Sequence, residues 1–179
     1  MNKAVFLDRD GVINECMTER VKHVNRPSDL FILPGVAEAI SKLNSAGFLI
    51  IIVTNQGGVG LRFMKPETLV RIHERLLSIL KKQDAHIHDI AACIHKPKEV
   101  CACRKPNPGM IMTMAEKYEI DLANSFMVGD METDIAAGKA AGTKTIRIGP
   151  EDENADFSAP SLLEAIPYIL NQTTALKER

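Results

Sequence analysis

Two carboxylates one residue apart, Asp8 and Asp10, close an apolar run and precede a glycine in Phe6-Leu7-Asp8-Arg9-Asp10-Gly11-Val12-Ile13-Asn14. On a strand, residues i and i+2 point the same way, so both side chains can converge on one cation as Gly11 turns the chain. Neighbouring anions repel, and a hard divalent ion is the usual remedy. The pattern suggests covalent phosphoryl chemistry. Asp8 would attack phosphorus and form an aspartyl phosphate, while Asp10 would protonate the leaving alkoxide and later deprotonate water.

Other residues of the right type follow further along. Thr54-Asn55-Gln56, Arg104-Lys105, and Asp130 with Asp134 four residues on would add a hydroxyl, two cations and more carboxylates. Mg²⁺ held by Asp8, Asp130 and the main-chain carbonyl of Asp10 would offset repulsion of an anionic substrate. Thr54 would donate to the transferring group and Lys105 would supply positive charge as oxygens crowd phosphorus. Taken singly, Lys105 reads as a solvated surface lysine and Asp134 as a helix-surface carboxylate. Their value comes from the set.

The elements that must position these residues alternate. Residues 4–8 and Phe48–Val53 are apolar, β-branched runs of the kind buried in parallel sheets. Between them Val36, Ala39, Ile40 and Leu43 space a helix that ends before Gly47. Pro66 opens a second helix with Leu69, Ile72, Leu76, Leu77 and Leu80 at helical spacing, and Ile90–Ile94 is a third strand. Asn107-Pro108 reads as an N-cap with proline at the first helical position, ahead of Met110, Ile111, Met114 and Ala115. Residues 125–128 form a strand ending at Gly129-Asp130, 135–141 a helix, 143–148 a strand, and 162–170 a last helix bent near Pro167. This predicts an α/β, Rossmann-like parallel sheet with helices on both faces, in a single domain spanning 1–179 with a flexible tail from about Gln172. Ligands in such sheets bind beyond the carboxyl ends of the strands, where the residues above stand. Two segments break the alternation, 15–33 and 96–105, and both are candidate site-covering loops.

Cys93, His95, Cys101 and Cys103 supply three thiols and an imidazole within eleven residues. In a chain with no export signal this reads as metal binding before disulfide, and four protein ligands would make a Zn²⁺ structural, in a loop over 93–103. Scattered buried thiols are the alternative. Cys16 stands apart as an ordinary thiol.

With 22 basic and 23 acidic residues the formal charge is −1, which gives no general field for nucleic acid. Aromatic residues are 4% with no tryptophan, so base stacking does not dominate recognition. The longest apolar stretch, Phe48–Val53, is far below the roughly 20 residues that span a bilayer. The expectation is a cytoplasmic monomer without membrane or nucleic-acid partners.

The segments 6–14, Val53-Thr54-Asn55-Gln56-Gly57, Cys103-Arg104-Lys105-Pro106 and 128–134 together resemble haloacid dehalogenase-like phosphatases of the small, zinc-containing type without a large cap domain. The nearest likeness is to heptose bisphosphate phosphatases and the phosphatase domain of histidinol-phosphate phosphatase, over residues 3–149. The resemblance implies Asp8 as nucleophile, Asp10 as acid/base, and Asp8, Asp10 and Asp130 around magnesium. It also implies Arg9, Thr54, Asn55, Gln56, Gly57, Arg104 and Lys105 at the phosphate or substrate, with Arg104 on a second charged or hydroxylated part. The activity implied is a Mg²⁺-dependent phosphomonoesterase acting on a small phosphorylated sugar, a heptose bisphosphate. The rivals are a histidinol-phosphate phosphatase and a non-catalytic module that binds a phosphorylated ligand. The stretch 16–33 lacks the family's His-Gly-Tyr and offers Glu19, Arg20, Lys22, His23 and Asn25 instead, and Met131 replaces a polar residue.

Overall fold

The structure, a computed structural model, describes residues 1–174. One parallel sheet is built from β1 (Lys3–Leu7), β2 (Phe48–Asn55), β3 (Asp89–Cys93), β4 (Phe126–Gly129), β5 (Lys144–Ile148) and β6 (Phe157–Ala159). Their spatial order is β3-β2-β1-β4-β5-β6. The helices are α1 (Val36–Ser45), α2 (Gly57–Gly60), α3 (Pro66–Lys81), α4 (Gly109–Lys117), α5 (Glu132–Ala141) and α6 (Leu162–Thr174).

Strand alternation sorts the core into two layers. Val5 and Leu7 of β1, with Ile50 and Ile52 of β2, pack with α1, α3 and α6. Ala4, Phe6, Ile51 and Val53 face the other way, toward α4 and α5. A strand covered on both faces can be apolar throughout, which is why β1 and β2 read as continuous hydrophobic runs. The chain goes from β1 outward to β2 and β3, then returns to the other side of β1 with β4. That reversal opens a crevice between the carboxyl ends of β1 and β4. The Asp8 amide still donates to Val128 O at 2.9 Å, so the first carboxylate leaves the sheet directly above the crevice.

Two expectations are corrected. Leu77 lies on the exposed side of α3, one residue past the buried Leu76. Asn107 does not cap α4: Pro108 holds the N-cap position and Gly109 begins the helix. The Asn107 amide donates instead to Cys101 O at 2.8 Å, tying the preceding loop to itself. Helix α6 runs through Gln172 to Thr174 with Pro167 inside it, and the rest of the segment expected as a tail, residues 175–179, lies outside the described residues. Finally, β6 and α2 are three and four residues long, too short to show a hydrophobic period.

The segment after β1 is ordered by its own apolar residues. Val21, Val24 and Leu30 are buried, Glu15 N donates to Phe31 O at 2.9 Å, and Leu33 N donates to Ile13 O at 2.9 Å. Arg20 pairs with Glu15 and lies 3.8 Å from the Phe31 ring centroid, which leaves His23 exposed at the mouth of the crevice. Among the described residues no helix is long and apolar enough to cross a membrane.

Candidate active site

The turn after β1 aims the carboxylates. Gly11 has φ +88°, a conformation that costs an L-residue strain, and its amide donates to Asn14 O at 2.8 Å. A Cβ built there would lie 2.1 Å from Asp130 Oδ2, so only glycine lets the turn approach the end of β4.

Asp8, Asp130 and Asp134 each bring a carboxylate oxygen within 4.8 Å of the others. Lys105 lies among them, 3% exposed, with Nζ 2.7 Å from Asp8 Oδ1, 2.6 Å from Asp134 Oδ1 and 2.7 Å from Val53 O. Three carboxylates against one ammonium leave the cluster negative. Burial pushes the Asp8 carboxyl up to about 7 against the pull of Lys105, with Asp134 and Asp10 adding to the push. Burial and Asp134 likewise raise Asp130. Asp130 Oδ1 is buried with no hydrogen-bond partner among the described residues, an arrangement that suits a cation ligand. Asp134 is already occupied, since Oδ1 meets Lys105 and Oδ2 accepts from Met131 N at 3.0 Å. Asp8 and Asp130 are therefore the better side-chain donors for a divalent ion.

Asp10 stands apart from this cluster, and its carboxylate is gripped by the protein. Arg9 donates from Nη2 at 2.9 and 3.1 Å and from Nε at 3.1 Å, while Asn14 Nδ2 and Gln56 Nε2 each donate at 2.9 Å. Burial alone would raise its carboxyl, but the Arg9 charge and the bonds from Asn14 and Gln56 outweigh it and hold Asp10 below the usual carboxylate range. The side chain of Asp10, expected with Asp8 and Asp130 around a metal, is thus separate from the cluster of Asp8, Asp130 and Asp134.

The residues at the end of β2 serve the framework. Thr54, 1% exposed, accepts from Gln56 Nε2 at 2.9 Å, and the same amide bridges to Asp10. Asn55 exchanges two bonds with the Lys105 backbone, at 3.1 and 3.0 Å. Gly57 begins α2 beside Arg104, whose Nη1 lies 3.2 Å from where a Cβ would stand. Arg104 in turn donates to His95 O at 3.4 Å. Arg9 is wholly buried on Asp10 and His73, the latter pushed down to about 4 by burial and by the Arg9 charge.

Asp8, Asp10, Asn55, Arg104, Lys105 and Asp130 line one cleft of about 950 Å³. A smaller one of about 260 Å³ shares Asp10, Asn55, Arg104 and His23 with it and adds Leu61 and Phe63.

Beside Arg104 the four ligand-type residues converge. Cys103 Sγ lies 3.6 Å from Cys101 Sγ and 3.2 Å from His95 Nδ1, and Cys93 Sγ lies 3.8 Å from Cys101 Sγ and 3.4 Å from His95 Nδ1. A tetrahedron with metal–sulfur bonds of ~2.3 Å has edges of ~3.8 Å, so the set could hold a metal ion. Burial and the neighbouring sulfurs push the Cys103 thiol up to about 12, and a cation would relieve that.

The sequence reading placed Lys105 and Asp134 in the set but without their burial, and it missed His73. Asp134 is 1% exposed and bound to Lys105, not a helix-surface carboxylate, and Lys105 itself is buried rather than solvated. The carboxylate at Asp134 was visible at four residues from Asp130, but its inward turn depends on Gly129, where a Cβ would lie 2.1 Å from Asp134 Cβ. His73 carried no signal beyond its place next to Ile72 on the buried face of α3.

The sequence family described as polynucleotide kinase 3 phosphatase matches residues 3–162. A D-glycero-beta-D-manno-heptose-1,7-bisphosphate 7-phosphatase of Rhodopseudomonas palustris is 38% identical over 156 residues, covering 83% of this chain and 84% of that protein. One of the same name from Helicobacter pylori is 37% identical over 144 residues, covering 80% of each. The crystal structure of D,D-heptose 1,7-bisphosphate phosphatase from B. bronchiseptica, complexed with magnesium and phosphate, superposes with a TM-score of 0.82 at 30% identity over 99% of both chains.

Proposed function

The chain belongs to the polynucleotide kinase 3 phosphatase family of haloacid dehalogenase-like hydrolases, and from that premise we propose that it removes the 7-phosphate of a D-glycero-D-manno-heptose 1,7-bisphosphate. It is a phosphoric monoester hydrolase. The sugar substrate comes from the relatives' names, and a formal charge of −1 offers no general attraction for the polyanion in the family's description.

The observation that carries the reaction is the placement of Asp8 in the cleft beside Lys105 and Asp130. Asp8 attacks phosphorus, the ester P–O bond breaks, and an acyl phosphate forms on its carboxylate. Asp10 passes a proton to the departing sugar oxygen. It acquires that proton as the anionic phosphate enters, because a like charge beside it favours the neutral form. Asp10 then takes a proton from the water that attacks the phosphoryl group, and Asp8 is regenerated with release of inorganic phosphate. Thr54 and Lys105 direct an O–H and a positive charge at the phosphoryl oxygens. Magnesium fits Asp8 and Asp130, where it supplies charge neutralisation for the phosphate.

Zinc on Cys93, His95, Cys101 and Cys103 fits a structural role, because all four positions of a tetrahedron are protein ligands. The loop it closes leads directly into Arg104 and Lys105. Arg104, fixed to His95 O and facing both clefts, is placed to contact the distal end of the sugar phosphate.

A phosphate-release panel in Mg²⁺ with both anomers of the heptose bisphosphate and with histidinol phosphate tests this reading. Fastest release from a heptose bisphosphate, with the 1-phosphate retained, is expected. Preference for histidinol phosphate would overturn the substrate assignment, and tight binding without release would overturn the enzyme reading.

A further inference from the structure

A line of half-buried polar contacts runs from the acid/base carboxylate into α3. Arg9 spends Nε and Nη2 on Asp10, and its Nη1 lies 3.2 Å from His73 Nε2. A guanidinium has no acceptor, so His73 accepts at Nε2 and carries its proton on Nδ1. Arg9 and Asp10 are neighbours in sequence, whereas His73 arrives from 64 positions away.

This second attachment matters because of what a single one would allow. A guanidinium bound only to its neighbour's carboxylate can swing with it. Held at its far end by a residue of a packed helix, it cannot. Helix α3 is anchored through Leu69, Ile72, Leu76 and Leu80, so His73 transmits the rigidity of the core to Arg9. Asn14 and Gln56 complete the grip on the two Asp10 oxygens. The wholly buried guanidinium needs an acceptor for Nη1, and the half-buried imidazole supplies it at Nε2.

We propose that His73 is a positioning residue for Asp10, acting through Arg9 and touching neither substrate nor metal. The inference rests on Asp10 being the general acid of the proposed reaction. Its consequence is selective: a displaced acid hurts substrates whose leaving group needs a proton and spares those whose leaving group does not.

The test compares kcat/KM for a sugar phosphate, whose alkoxide must be protonated, with kcat/KM for p-nitrophenyl phosphate, whose phenolate leaves unaided. General acid catalysis contributes about 10²–10⁴-fold, so partial misplacement should remove about tenfold of it. In His73→Phe the ratio of sugar to aryl phosphate is expected to fall about tenfold. His73→Gln, whose amide oxygen can accept from Arg9, should restore it to within about twofold. If His73→Phe does not fold, His73→Asn, too short to reach Arg9, carries the same comparison. Asp10→Asn calibrates the scale with a fall of about 100-fold or more. An unchanged ratio in Asp10→Asn would remove the general-acid reading and this proposal with it. A collapsed ratio in Asp10→Asn with an unchanged ratio in the His73→Phe or His73→Asn protein overturns this proposal alone, as does a His73→Gln protein that behaves like His73→Phe.

Discussion

Lys105 Nζ donates to Asp8 Oδ1 at 2.7 Å across 97 positions of sequence. The same ammonium also meets Asp134 Oδ1 and Val53 O, so all three of its N–H groups are engaged. It is a fixed charge beside the proposed nucleophile, not a side chain that reaches in from solvent. Asn55 fixes the Lys105 backbone from the neighbouring strand end, which makes the charge part of the sheet's rim.

Lys105→Met should lower kcat/KM for phosphate release by about 100-fold or more, as expected for loss of a preorganised charge at a phosphoryl group. It should also destabilise the fold by about 3–5 kcal/mol, because Asp8 and Asp134 lose their shared cation in a buried site. Phosphate-release kinetics read the first part, and urea unfolding with and without Mg²⁺ reads the second. The magnesium-dependent gain in stability should be larger in the variant than in the native protein.

Asp130 Oδ1 has no hydrogen-bond partner among the described residues, so the residue's worth should lie in the ion it would hold. Asp130→Asn is expected to raise the Mg²⁺ concentration for half-maximal activity by about tenfold or more, since one anionic oxygen ligand is lost. A magnesium titration of the rate measures this directly. An unchanged midpoint would remove Asp130 from the ion's ligands.

Cys101→Ser should lose bound zinc, measured by elemental analysis of the purified protein. The effect on catalysis should travel through His95 O and Arg104, raising KM for the sugar phosphate more than it lowers kcat. Unchanged zinc content would show that the four residues are not a ligand set.

His73 contributes a specific pH dependence of stability. Burial first, and then the Arg9 charge, hold its folded-state value at about 4, against 6.5 when free. Because the folded value is depressed, the unfolded chain binds more protons between these limits, so stability is full above about pH 6.5 and declines as pH falls toward 4. The expected loss between pH 7.5 and 5 is about 2 kcal/mol. Urea midpoints at the two pH values should show a smaller drop in His73→Gln than in the native chain.

The central strands were legible because both faces of the sheet are covered. Residues 4–8 and 48–53 needed no alternation to be read as buried, and they place Asp8 and Thr54 within one residue of their strand ends. The thiol cluster was legible from ligand type and closeness in sequence, with scattered buried thiols as the alternative, and the structure brings the four residues together. What the sequence concealed was the use of charges after folding. Taken singly, Lys105 and Asp134 look like solvent-facing residues until β4 and the loop after β3 bring them together, and nothing beside Arg9 in sequence announces its bond to His73. Each of these is a contact between residues tens of positions apart, and no local periodicity records it.

The central claim is that phosphorus passes through the carboxylate of Asp8. Acid-quenching the native protein during steady-state turnover of the sugar phosphate, followed by peptide mass spectrometry, tests it most directly. The account predicts a phosphoryl adduct on Asp8, absent from an Asp8→Asn protein that is folded and inactive. Substantial phosphate release by Asp8→Asn, or an adduct found on another residue during native turnover, would contradict it.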